Sequence, residues 1–140
     1  MKKSFSLIEV IFVIAIIALI AVVAVPKFGS SIDKTNLVKI RADIAFIREA
    51  LLSYKNKMIL SNEYNEIESL DSEEGQLFGK ILKYPLDTSD TPKTGSWKKI
   101  SNSSYFVYVD NDTSVEFIYD KENFTFDCDF DKPYCEELMQ

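Results

Sequence analysis

The pattern of apolar and polar positions changes character along the chain. From Phe5 to Val25 the only polar side chains are Ser6 and Glu9, and from Val10 to Val25 there is none. At 1.5 Å per residue, residues 5–25 form a helix of about 31 Å, close to the ~30 Å hydrocarbon core of a bilayer, so a membrane-spanning helix is expected. After Pro26 the pattern turns amphipathic. Leu37, Ile40, Ile44, Ile47, Leu51, Tyr54 and Met58 recur at spacings of three and four, which is one face of an α-helix. Asp43 and Glu49, with Lys39, Arg41, Arg48 and Lys55, are expected on its solvated remainder. Gly29-Ser30-Ser31 is a weak spot for helix where the apolar segment hands over to the amphipathic one, and Pro26 is expected to kink the helix there. A nearly continuous helix from Phe5 to about Lys57 would be about 80 Å long. A domain of ~100 residues has a radius of gyration of only ~13 Å, so the first half is expected to project as a handle.

Residues 61–95 are polar, with Gly75, Gly79, Gly95, Pro85 and Pro92, and read as a connecting loop. Leu77-Phe78 with Ile81-Leu82 suggests a short helix around residues 73–83. Three aromatic and β-branched runs follow, Tyr105 to Val109, Val115 to Tyr119 and Phe124 to Phe126, separated by Asp- and Asn-rich turns. Short turns of this kind join antiparallel neighbours, and Trp97 to Ile100 supplies a possible fourth strand. The sheet needs a partner for its apolar face, and the long apolar stripe available is that of residues 37–58. The expected fold is therefore α+β: a long N-terminal helix, membrane-spanning in its first half and amphipathic in its second, packed on an antiparallel sheet of three or four strands. The strand aromatics are expected in the core.

Composition narrows the function. The net charge is −6, and removal of Lys2 and Lys3 leaves 14 basic against 22 acidic groups, or −8. Phosphate binding needs clustered Lys and Arg, so a nucleic-acid partner is not expected. With no histidine, Ser-His and Cys-His nucleophilic arrangements are excluded and the commonest metal ligand is absent. Acid pairs remain, as they do in any chain with this many carboxylates, and no enzymatic role is expected.

The N-terminus carries the most specific signal. A positive leader, Met1-Lys2-Lys3-Ser4, abuts the apolar run directly, and Glu9 lies one turn inside it. A charge deep in a bilayer costs roughly 2.5–3.5 kcal/mol on insertion scales, less near the interface. KKSFSLIEV followed by a long apolar helix and a Pro resembles the prepilin signal of type IV pilins and type II secretion pseudopilins. The resemblance covers about the first 30 residues, with Ser4 where the family prefers Gly and Ala18 where a Gly is common.

It implies residues 1–4 as a leader cut between Ser4 and Phe5 by a prepilin peptidase, which then methylates Phe5. Residues 5–26 become a transmembrane and assembly helix with Glu9 as its acidic assembly residue and Pro26 at the helix kink; residues 27–140 form a pilin-like globular domain. The implied protein is a structural subunit of a pilus or secretion pseudopilus. It is held in the bacterial inner membrane by residues 5–25 with its C-terminal domain in the periplasm, then drawn by an assembly platform into a filament with other pilin-like subunits. The alternative is an ordinary secretory signal cut after Ala24, releasing a soluble binding domain or enzyme that begins at Val25.

Cys128 and Cys135 close the sequence CDFDKPYC. In an exported domain they are expected to pair, a loop this short contributing about 2.5 kcal/mol. The other reading is a metal site, of which two thiolates without histidine make only half. Many type IV pilins have a disulfide-closed C-terminal segment, which this is similar to. Asp127, Asp129 and Asp131 alternate in the same tail, and alternation in a strand would put them on one face as calcium ligands, as in the C-terminal loops of major pseudopilins. A solvated acidic tail is the other reading, and Lys132 and Leu138 stand where a calcium-binding EF-hand loop needs Gly and Glu.

Overall fold

The computed structural model describes residues 6–140, apart from the side chains of residues 23–33. The expected cleavage pair Ser4 and Phe5 lies outside the described residues; of Ala24, Pro26 and Gly29 to Ser31 only the backbone is described, and it is helical.

Helix α1, Leu7–Ser61, is followed by a meander of strands β1 (Trp97–Lys99), β2 (Ser104–Tyr108), β3 (Ser114–Asp120) and β4 (Thr125–Cys128), then a short helix α2 (Cys135–Met139). The class is α+β, and the strands form one antiparallel sheet in the order β1-β2-β3-β4. The backbone divides into two compact units, Met1–Thr35 and Asn36–Gln140.

In the second unit the three-and-four spacing becomes the core. Ile40, Ile44, Ile47, Leu51 and Met58 of α1 are buried, with Leu37 and Tyr54 packed at the edge. Each such side chain contributes roughly 1.5–3 kcal/mol by leaving water. The sheet presents the matching face. Val115, Phe117 and Tyr119 are buried and alternate with Ser114, Glu116 and Ile118, because successive strand residues point to opposite sides. The strand aromatics do form the core: Trp97, Tyr105, Phe117 and Phe126 meet with ring centroids 5.2–6.1 Å apart. Helix α1 ends where Asn62 takes a left-handed conformation, a common helix terminator.

Two expectations are corrected here. Asp43 is buried rather than solvated, because it lies three residues after Ile40 and four before Ile47, inside the apolar stripe. Its Oδ2 accepts the indole N–H of Trp97 at 3.1 Å. Burial pushes its carboxyl above the usual range, opposed by that hydrogen bond and by the charge of Lys39.

The short helix expected around residues 73–83 is a succession of turns. Asp71 organises them. Its Oδ1 accepts the Phe78 N–H at 3.1 Å, and its Oδ2 meets Lys99 Nζ at 2.6 Å and the Ser69 hydroxyl at 3.1 Å. This holds Phe78 left-handed at φ 57°, which interrupts any helix and costs about 1–2 kcal/mol. The return is burial: Phe78 is fully buried, 4.7 Å from the Tyr105 ring and 5.4 Å from Trp97. The Tyr105 hydroxyl accepts the Leu70 N–H at 3.2 Å, and burial pushes its phenol up to about 12.

Candidate functional site

The first unit is a helix without a polar face. Isoleucine, valine, leucine and alanine fill residues 7–22, interrupted only by Glu9 and Phe12, and no glycine or proline breaks the run. Every residue from 6 to 22 is exposed. Leu7 is 79% exposed, Phe12 67%, Leu19 71% and Val22 74%, positions that fall all round the helix. A helix apolar on every side belongs in a protein core or a lipid phase, and an apolar patch of this size marks an interaction surface.

Glu9 lies in the first turn of α1, and the Glu9 and Val10 N–H groups donate to the Ser6 carbonyl at 3.0 and 3.3 Å. An acid there faces the positive end of the helix dipole, worth about 0.3–1 kcal/mol. The site can do two things chemically: bury a large apolar surface and present one negative charge at its N-terminal end.

The membrane-spanning half expected from the sequence is not shown. Among the described residues no helix is long and apolar enough to cross a membrane. The described side chains of the apolar run, residues 7–22, cover only about 24 Å of helix, and the next three residues of the run, Val23, Ala24 and Val25, belong to the stretch whose side chains are not described.

At the other end, Cys128 of β4 and Cys135 of α2 are brought together, with sulfurs at bonding distance and Cα atoms 5.8 Å apart. Cys135 and Leu138 carry α2 into the core. Replacing both cysteines by serine is expected to cost about 2.5 kcal/mol, read as a lower denaturation midpoint, while the sheet keeps its amide-exchange protection and residues 129–140 lose theirs. Loss of protection across the whole sheet would contradict this.

The three candidate calcium ligands do not lie along one strand. Only Asp127 lies in a strand. Its Oδ1 accepts from Arg48 Nη2 at 2.8 Å, whereas Asp129 Oδ1 accepts the Asp131 N–H at 3.0 Å and shapes the turn of the disulfide loop. Among the described residues no group of three or more His, Cys, Asp or Glu could hold a metal ion. The tail ends β4 too early for the alternation to matter.

Sequence reasoning missed the Asp43–Trp97 pair and the groove beside it, lined by α1 and residues 82–86. The available signal was an acid placed within the spacing of the buried stripe. Comparison of the chain with protein-family models, curated proteins and solved structures finds no match.

Proposed function

We propose that this chain is a structural subunit of a helical fibre of the type IV pilus or secretion pseudopilus kind. In this reading it is cut between Ser4 and Phe5, methylated at Phe5 and held by residues 5–25 in a bacterial inner membrane with its C-terminal domain in the periplasm. An assembly platform then moves it into a fibre whose core is packed apolar helices. The observation that carries the reading is the all-round apolar exposure of residues 7–22 with a single carboxylate, Glu9, in the first turn. A surface of that kind needs lipid at one stage or other helices at another, and a fibre subunit meets both in turn. The amphipathic second part of α1, which buries its stripe under the sheet, leaves the second unit complete in itself and able to be carried on the outside of such a core.

The mass of the protein isolated from its own cells tests the processing step. It is expected to correspond to loss of Met1 to Ser4 plus one methyl group. An intact Met1, or a first residue of Val25, would overturn the reading; the latter would establish a released soluble domain instead.

A further inference from the structure

Three of the chain's seven asparagines are followed two positions later by Ser or Thr with no proline between: Asn102-Ser103-Ser104, Asn111-Asp112-Thr113 and Asn123-Phe124-Thr125. This is the acceptor pattern for a sugar on an asparagine amide, and it requires an exposed loop in an exported protein. Serine and threonine make up one residue in seven, so chance alone gives about one match among seven asparagines. The three fall one in each hairpin turn of the sheet, and all three asparagines are exposed.

Turns favour Asn, Ser and Thr for their own reasons, so the question is which of these side chains the fold already uses. At the β3–β4 turn Asn123 is used. Its Nδ2 donates to Asp120 Oδ2 at 2.7 Å, and its carbonyl accepts from Lys55 of α1 at 3.4 Å. At the β1–β2 turn the hydroxyl of the pattern is used: Ser104 is buried and donates to the Glu116 carboxylate. The β2–β3 turn differs. Asp110 closes it, its Oδ1 accepting the Asp112 and Thr113 N–H groups at 2.8 and 2.7 Å, and the Val109 N–H donates to the Thr113 carbonyl at 2.9 Å. The Asn111 side chain makes no hydrogen bond among the described residues, and Thr113, half-buried, directs its hydroxyl to Asp110 of the same turn. An amide that holds nothing, at the tip of a hairpin, is free for chemistry.

We propose that Asn111 carries an N-linked glycan. Its Nδ2 gives up a proton to a base of a membrane glycosyltransferase and bonds to the anomeric carbon of a sugar on a lipid-linked diphosphate. The bond from that carbon to the diphosphate oxygen breaks, and the diphosphate leaves with the electron pair. The step requires an exported domain and so rests on that part of the fibre reading, which the Cys128–Cys135 bond favours separately.

Protein isolated from its own cells without reductant is digested and its fragments weighed by mass spectrometry. The fragment holding Asn111 is expected to exceed its sequence mass by whole sugar residues, placed on Asn111 by fragmentation. Asn111→Gln and Thr113→Ala are expected to lose the addition and Thr113→Ser to keep it; Asp110 holds the turn in all three through main-chain N–H groups. The first residue and the disulfide are read in the same digest. A bare Asn111 overturns the site: with Phe5 first and the disulfide formed it leaves the fibre reading standing, and with Met1 intact and both thiols free it overturns that reading as well. Sugar on Asn102 or Asn123 in place of Asn111 overturns the assignment to the free amide, and an addition retained in Thr113→Ala overturns attachment through this pattern.

Discussion

Glu9→Val is expected to leave the protein in the membrane and remove it from fibres. Glu9 is the only charge described within residues 7–22, and its place in the first turn gives it about 0.3–1 kcal/mol from the helix dipole. A carboxylate enclosed by apolar helices needs more, since its cost in a bilayer centre is roughly 2.5–3.5 kcal/mol. In the proposed fibre the balance comes from the positive amino terminus of a neighbouring Phe5, and the pairing fixes one subunit axially against the next. Valine makes insertion slightly easier and deletes the pairing. A lost contact of about 1.4 kcal/mol or more means a tenfold or greater fall in incorporation. Shearing and immunoblotting against the unmutated protein measure it, and normal incorporation would show that the carboxylate has no part in assembly.

Trp97→Ala is expected to remove most of the stability of the second unit. Trp97 is fully buried and touches Phe78, Phe117 and Phe126. Truncating a buried Trp costs roughly 3–5 kcal/mol, and the Asp43 carboxylate left behind adds about 1–3 kcal/mol. Against a typical total of 5–15 kcal/mol that is unfolding or close to it. Asp43→Asn is the contrasting substitution, because it keeps an acceptor for the indole and removes the burial of a charge. Folding raises the Asp43 pKa, so between its unfolded and folded values the folded state holds more protons. Its contribution therefore grows less favourable as pH rises through that window. The Asn variant is expected to match or exceed the unmutated protein at neutral pH and to lose this dependence. Thermal unfolding of the full chain followed by near-ultraviolet circular dichroism separates the cases; a Trp97→Ala protein that melts like the unmutated one would contradict the described core.

The helix and the strands were legible because one periodicity ran long enough to be unambiguous. Ile40, Ile44, Ile47, Leu51 and Met58 keep step over five turns, and the strand runs are dense in aromatic and β-branched residues between Asp and Asn turns. Residues 61–95 were not legible, because their order comes from single side chains acting at a distance. Asp71 holds Phe78 in a strained conformation that no local pattern announces, and Lys39 ties Asp87 to α1 across the chain. In the acid tail, alternation implies a shared face only while a strand lasts, and β4 stops at Cys128. Asp43 was read by its charge when its position on the stripe was the better guide. The cysteine pair was readable because two cysteines seven positions apart in an otherwise cysteine-free chain have only each other to bond.

The central claim is that residues 7–22 pack against the same residues of other copies. A photoreactive benzoyl-phenylalanine in place of Ile14, 60% exposed in the middle of that run, tests it most directly. Irradiation of cells making the full-length protein is expected to give a ladder at multiples of the chain mass, and the ladder should shorten to the monomer when Glu9→Val is added. Monomer alone from the otherwise unmutated protein, under conditions where it is processed and exported, would contradict assembly through this helix.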